Sequence, residues 1–293
     1  MINGKYTVSI DGVIVHEESN LITDYGRLAI LRYLAGITNT YAGAIAVGIS
    51  NASPTTLDSS LGYEVYQAPI ILKTVDYNNS QILFKATFPA GDRYSVYEIG
   101  LYPEDSSNRG SLLHYFDSVE SWDGAVEDNL VDIRIGESGI TMNATSGGTT
   151  TISSDSQLSL STLQSNDKFE FAVVLYDDNC DYIRVTFTDI NGDTMYADFT
   201  PAVFSSSPQY DIIAVDKSSF TGQDKEWGNI VLMEVSVKAN TSTNTSVVLD
   251  GFRTTDSNIL VGSEIVSKTR LSAPVVKDSL ATLDIQYSMS VPI

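Results

Sequence analysis

The chain holds two histidines, His16 and His114, and one cysteine, Cys180. These side chains do base, ligand or nucleophile chemistry near neutral pH most readily. A histidine acting as general base or metal ligand needs a second His, Cys or carboxylate at ligand spacing. His16 (VIVHEES) and His114 (SLLHYF) lie in strand-like sequence without one. Cys180 sits beside Asp178, Asn179 and Asp181, whose charge disfavours the thiolate, and a single cysteine forms no disulfide within the chain. No nucleophile-elbow or Cys-His signature is present. GESG and SGGTT stand in turn contexts, not in a phosphate-cradling loop. With 37 acidic residues, carboxylate pairs of the glycosidase kind arise by accident and carry little meaning. The expectation is a non-enzyme without a cofactor.

Binding chemistry has more to work with. DINGDTMYAD and DDNCD are oxygen-rich, like part of a cation loop, but the full EF-hand spacing is missing. Asn191-Gly192 between alternating runs reads better as a hairpin turn. Sugar rings stack on exposed aromatics, and Trp122 (ESWDGA), Tyr210 and Trp227 (DKEWGN) are the ligand-binding candidates because of their polar contexts. The competing reading, burial at a sheet edge or a subunit contact, is the stronger one for residues of this size.

These side chains must be positioned by β-structure. Of the 293 residues, 42% are hydrophobic, enough for one large domain or two ordinary ones. Only 18% are charged, and Ser, Thr, Asn and Gly abound, as in turn-rich β-proteins. No apolar run is long enough for a membrane span, and MINGKYTVSIDG lacks the basic and apolar regions of a leader. The triplets at Asn51, Asn143 and Asn240 therefore carry no glycosylation expectation. A net charge of −20 disfavours nucleic acid.

KYTVSID and VIVHEES flank Asp11-Gly12, a hairpin signal. Thr23 or Asp24 can cap a helix whose apolar stripe is Tyr25, Leu28, Leu31 and Ala35, widened by Ile30 and Leu34, with Gly36 as its stop. That stripe is expected to cover a sheet face. AIAVGIS, PIILKTVDY, QILFKATFP and SVYEIGLYP follow as strands, with NNS as a turn and Pro103 as a terminator. Residues 1–115 carry 7 basic and 11 acidic side chains, residues 116–258 carry 7 and 23, and residues 259–293 carry 3 and 3. The acidic middle contains LVDIRI, GITMNA, QLSLSTL, FEFAVVLY, YIRVTFTDI, TMYADFT, DIIAVD, IVLMEVSVKA and TSVVLDGFRTT, regularly spaced runs suited to a two-sheet sandwich of jelly-roll type. The expected fold class is mainly β: a small α+β module of 1–115 plus 259–293 with one helix, and an inserted antiparallel β-sandwich at 116–258. Simple tandem order is the rival arrangement.

Asn20–Gly26 (N-L-I-T-x-x-G), Ile45–Gly48 (I-A-V-G), the loop carrying Pro54, Thr55, Asp58, Leu61 and Glu64, the run Glu98–Tyr102 (E-I-G-L-Y), and the closing Pro274, Lys277, Leu283, Ile285 and Tyr287 follow one another in order. Together they resemble a building block of bacteriophage virions found in tail-fibre, collar and baseplate-type proteins. The matches cover roughly half the chain; the short form of that block lacks the acidic middle. Gly26 within a helix start costs about 1 kcal/mol against alanine; a close packing partner would explain it, and a tolerated imperfection is the equal alternative. Glu98 is expected to face solvent, with Arg93 or a backbone group as its alternative partner. Asp250 in VVLDGFRTT resembles the last strand of jelly-roll carbohydrate modules, where an aspartate can hold a structural calcium; it is the one metal-ligand candidate.

The resemblance implies a tail-associated virion structural protein, assembled in the host cytoplasm and acting by contact with other virion proteins, as a homo-oligomer. The alternatives are a capsid-decoration or head-fibre protein and an adhesin for host surface glycan. A glycan-degrading enzyme ranks last. Neither nucleic-acid binding nor membrane insertion is expected.

Overall fold

A computed structural model describes residues 3–104, 111–124, 127–202, 207–255 and 263–290. The chain divides into two units, residues 1–107 with 259–293 (unit 1) and residues 108–258 (unit 2). The first strands, β1 (Asn3–Ile10) and β2 (Val13–Ser19), form the antiparallel hairpin. Asp11 and Gly12 take φ of 49° and 82°, the pair of positive values its tight turn demands. After β3 (Leu21–Ile22) comes α1 (Asp24–Leu34). The Thr23 hydroxyl accepts from the Gly26 N–H at 2.9 Å, and Gly36 turns the chain away at φ 69°.

The helix packs by the side opposite to the one its leucines mark. Gly26 and Ile30 are its buried residues, whereas Leu31 and Leu34 are 61% and 74% exposed, with Tyr25 and Leu28 also outward. Gly26 decides the orientation: a Cβ there would collide with the Val266 carbonyl, so this side alone lets helix backbone reach strand backbone. Strands β4 (Ala44–Gly48), β5 (Glu64–Asp76), β6 (Gln81–Phe88) and β7 (Tyr94–Tyr102) follow. Every residue of β4 is buried, as a short strand between two neighbours requires.

Unit 2 contains β8 (Leu112–His114), β9 (Glu127–Asn129), β10 (Gly139–Ala144), β11 (Thr149–Leu158), β12 (Lys168–Leu175), β13 (Cys180–Asp189), β14 (Thr194–Phe199), β15 (Gln209–Asp216), β16 (Ile230–Ala239) and β17 (Thr245–Thr255). They make two antiparallel sheets, ordered β15-β12-β17-β10-β9, with β8 also on β17, and β11-β16-β13-β14. Alternation places Phe169, Phe171 and Phe252 of one sheet against Phe187 and Phe199 of the other, all fully buried. Phe171 meets Phe252 at 4.4 Å and Phe199 at 5.3 Å between ring centroids. Each such ring stabilises by about 1.5–3 kcal/mol through burial alone. LVDIRI is not a strand: its Arg134 and Ile135 N–H groups go to the Asp250 carboxylate instead of a ladder.

The chain then returns to unit 1 as β18 (Ser267–Lys277) and β19 (Leu283–Ser290). β19 pairs with β1 and β6, and β18 with β7 and β3. The resulting order is β2-β1-β19-β6-β5-β4-β7-β18-β3. β5 serves both halves, pairing with β4 up to Pro69 and with β6 from Ile70 onward. Tyr6, Phe84, Ile285 and Tyr287 share one core with Ile45, Val47, Ile99 and Val266, so the first and last segments are inseparable. The fold is thus mainly β, with one α-helix among the described residues. That helix is neither long nor apolar enough to cross a membrane.

Candidate functional site

The motif residues of unit 1 converge on a buried ion cluster. Glu98 is completely buried on β7, not solvent-facing, and accepts the N–H groups of Gly62 and Tyr63 at 3.0 and 2.9 Å. Lys268 of β18, 3% exposed, reaches Glu98 at 3.2 Å and Asp58 at 3.1 Å. The Thr55 hydroxyl donates to Asp58 at 2.6 Å. Burial raises the Asp58 pKa, but the Thr55 hydrogen bonds and the Lys268 charge outweigh it and hold the carboxyl below its ordinary value. Leu61 N–H donates to the Tyr102 hydroxyl at 3.0 Å. A polar loop is thereby fastened to β7 and β18 by groups that each meet a partner. This carboxylate pair is closed by its own lysine and works as a clasp.

Unit 2 absorbs the aromatic candidates into its interior. Trp122 is 5% exposed, stacked on Phe116 at 5.2 Å with its edge on His114 at 4.8 Å. Trp227 is equally buried among Phe169, Phe187 and Phe220, and its indole N–H donates to the Gln223 carbonyl at 3.0 Å. The ring of half-buried Tyr210 lies under the Arg134 guanidinium at 3.7 Å, and its hydroxyl donates to Asp250 at 2.5 Å. None of the three is a free sugar platform. Burial, the stronger of the two sequence readings, holds for both tryptophans: their polar neighbours occupy turns while the ring turns inward.

Asp250 is the extra residue of a bulge in β17, opposite the Ala172/Val173 step of β12. The bulge re-aims its side chain toward the Arg134 and Ile135 N–H groups, at 2.8 and 3.2 Å, and the Tyr210 hydroxyl. Burial pushes its pKa up to about 7, against the lowering effect of those donors. A carboxylate ringed by donors is the reverse of a cation site, and no cluster of metal-ligating side chains occurs among the described residues. Asp189 of the DINGD loop likewise accepts the Asn191 and Asp193 N–H groups, both at 2.9 Å, and closes a hairpin turn. Burial drives His114 down to about 4, and its Nδ1 accepts the Phe116 N–H. His16 lies 3.3 Å from Glu18. Burial, then Asp177 and Asp181, push the Cys180 thiol up to about 12, which keeps it protonated.

Two surfaces escaped the sequence reading. In unit 1 a groove of about 810 Å³ runs between Ile30, Leu31 and Leu34 of α1 and strand-end residues including Lys5, Asn20 and Leu21. In unit 2 the outer face of the β11-β16-β13-β14 sheet carries Tyr182 and Arg184 on β13 beside Tyr196 and Asp198 on β14. Arg184 forms a two-pronged pair with Asp198, Nε–Oδ1 2.6 Å and Nη2–Oδ2 2.8 Å. Its guanidinium lies 5.1 Å from the Tyr182 ring centroid and 4.5 Å from that of Tyr196. The signal was the period-2 alternation of YIRVTFTD and TMYADF, which assigns these residues to one face.

No protein-family model and no curated protein matches the chain. Among solved structures it is similar to the family 11 carbohydrate-binding module of the cellulosomal cellulase Lic26A-Cel5E of Clostridium thermocellum, at 16% identity over 52% of this chain and 97% of that one, TM-score 0.38. It is similar to a carbohydrate-binding module, CBM28, specific for non-crystalline cellulose, at 10% identity over 48% of this chain and 91% of that one, TM-score 0.35. The agarase AgWH50C aligns at 15% identity over 50% of this chain and 26% of that one, TM-score 0.37. Likenesses of this degree decide nothing about function.

Proposed function

We propose that the chain is a non-enzymatic structural protein of a phage virion, tail-associated, which acts by assembly through unit 1. The observation that carries this reading is where apolar surface is left uncovered. Sixteen of the 21 large apolar side chains exposed among the described residues belong to unit 1, although unit 2 is slightly the longer. They concentrate on the outer side of α1, with Leu28, Leu31 and Leu34 followed by Ile37, and on edge strand β2 at Val13, Ile14 and Val15. Apolar exposure concentrated in this way marks a contact surface, and an edge strand is a template for a further strand. Covering the exposed part of one such leucine stabilises an assembly by about 1–2 kcal/mol. The occupant we assign is a second copy of the chain, since positions repeated around a symmetric particle bring identical surfaces together. The acidic middle of the chain, 7 basic against 23 acidic residues, favours solvation of unit 2.

The virion assignment rests on the ordered motif residues, several of which have a task in unit 1: Thr23 caps, Gly26 admits Val266, Asp58 and Glu98 hold Lys268, and Tyr102 holds Leu61. Light scattering on the whole chain tests the assembly claim. The expected result is an oligomer that the double variant Leu31→Glu, Leu34→Glu reduces to a folded monomer; a monomeric parent protein refutes it. Gold-labelled antibody on intact particles separates a tail position from the capsid-decoration alternative.

A further inference from the structure

We infer that the outer face of the β11-β16-β13-β14 sheet in unit 2 is a binding site for a neutral, extended glycan, centred on Tyr182, Arg184 and Tyr196. The inference is independent of the assembly reading and concerns residues that reading does not use. Register fixes the arrangement: Arg184 stands opposite Asp198 on β14 and Ser236 on β16, and Thr186 stands opposite Tyr196. All of them alternate with core residues Ile183, Val185 and Phe187, so they face outward together. The guanidinium lies over both rings, 5.1 and 4.5 Å from their centroids, so the rings stand at most about 10 Å apart, and a sugar would stack on the sides that they turn away from Arg184.

The chemistry of the face selects its ligand. Sugar C–H groups pack on aromatic rings, and ring hydroxyls need donors and acceptors placed beside those rings. The remaining lone pairs of the Asp198 carboxylate, the Thr186 hydroxyl and the Ser236 hydroxyl, which is already bonded to that of Thr151, supply them. Asp198 holds Arg184 in a fixed plane, so little side-chain freedom is lost when a ligand arrives. Arg184 and Asp198 remain about a third exposed, at 34% and 39%, so both are within reach of ligand. Charge disfavours an acidic glycan: Arg184 is engaged by Asp198, and the cation Lys238 shares its strand and face with Glu234, so these four groups leave no net positive charge. The surrounding segment is strongly acidic, with 7 basic against 23 acidic residues over 116–258, which repels uronate or phosphate.

The experiment is titration calorimetry on the whole chain with neutral hexasaccharides of β-1,4-glucose, β-1,3-glucose and α-1,6-glucose, and with a polygalacturonate oligomer as the acidic probe. Binding of at least one neutral probe and none of the acidic one is expected. Tyr182→Ala and Tyr196→Ala are each expected to weaken that binding at least tenfold, whereas Tyr182→Phe, which keeps the ring, changes it less than threefold. Thr186→Lys blocks the face without touching the core and is expected to abolish binding, so the test stands even where an alanine variant misfolds. Binding of no neutral probe, or binding that survives Thr186→Lys, overturns the inference and leaves the two tyrosines as cross-strand packing only.

Discussion

Replacing Lys268 by methionine tests whether the buried clasp holds unit 1 together. The change keeps most of the side-chain volume and removes the charge. Glu98, fully buried, would keep its two N–H donors but lose its cation, and Asp58 would lose the same partner. Breaking a buried pair by deleting one member costs about 3–5 kcal/mol, because a charge is left uncompensated in a medium that solvates it poorly. For a unit of this size that loss corresponds to roughly 10–20 °C in melting temperature. Calorimetric melting of the whole chain would show the transition of unit 1 moving down by that amount. Adding Glu98→Gln to the same chain removes the stranded charge. The double variant should therefore lose about 1–3 kcal/mol less than the sum of the single losses. A loss under 1 kcal/mol for Lys268→Met, or strictly additive losses, would refute the reasoning.

Gly26→Ala should destabilise unit 1 despite alanine's helix advantage of about 1 kcal/mol, because its Cβ meets the Val266 carbonyl; an unchanged urea midpoint would contradict this. In unit 2 two buried groups pull in opposite directions with pH. Asp250, raised to about 7, contributes stability that is present below the ordinary carboxylate pKa and is lost as pH rises through 7. His114, lowered to about 4, contributes stability that is present above the ordinary histidine pKa and is lost as pH falls through 4. Urea midpoints of unit 2 should therefore rise from pH 4.5 to about 6.5 in Asp250→Asn and fall over the same range in His114→Gln. Parallel pH profiles in the two variants would refute both assignments.

What could be read from the residues was local. Asp11-Gly12, both at positive φ, and Gly192, at φ 84°, mark their hairpins because positive φ is a property of the turn itself. Thr23 and Gly36 bound the helix for the same kind of reason. The face by which the helix packs was not legible, because it depends on a missing side chain at Gly26 meeting Val266 from the far end of the chain. Glu98 looked like a surface residue because Lys268 comes from that same distant segment. For the tryptophans burial, the stronger of the two readings, is what the structure shows, since a polar flank reports a turn and not the direction of the ring. LVDIRI has strand-like alternation, yet the carboxylate of Asp250 takes the N–H groups a ladder would have used. The tyrosine–arginine face lay in plain alternation, but its meaning appears only when β13 and β14 are set in register.

A variant in which a short flexible linker replaces residues 108–258 puts the most direct question to the molecule: what is its molar mass in solution? Strands from both ends interleaved in one core, with α1 leucines turned outward, predict a folded species whose mass is an integral multiple, above one, of its own chain. A mass equal to a single chain, or an unfolded polypeptide, would contradict the claim that unit 1 is a self-sufficient element of assembly.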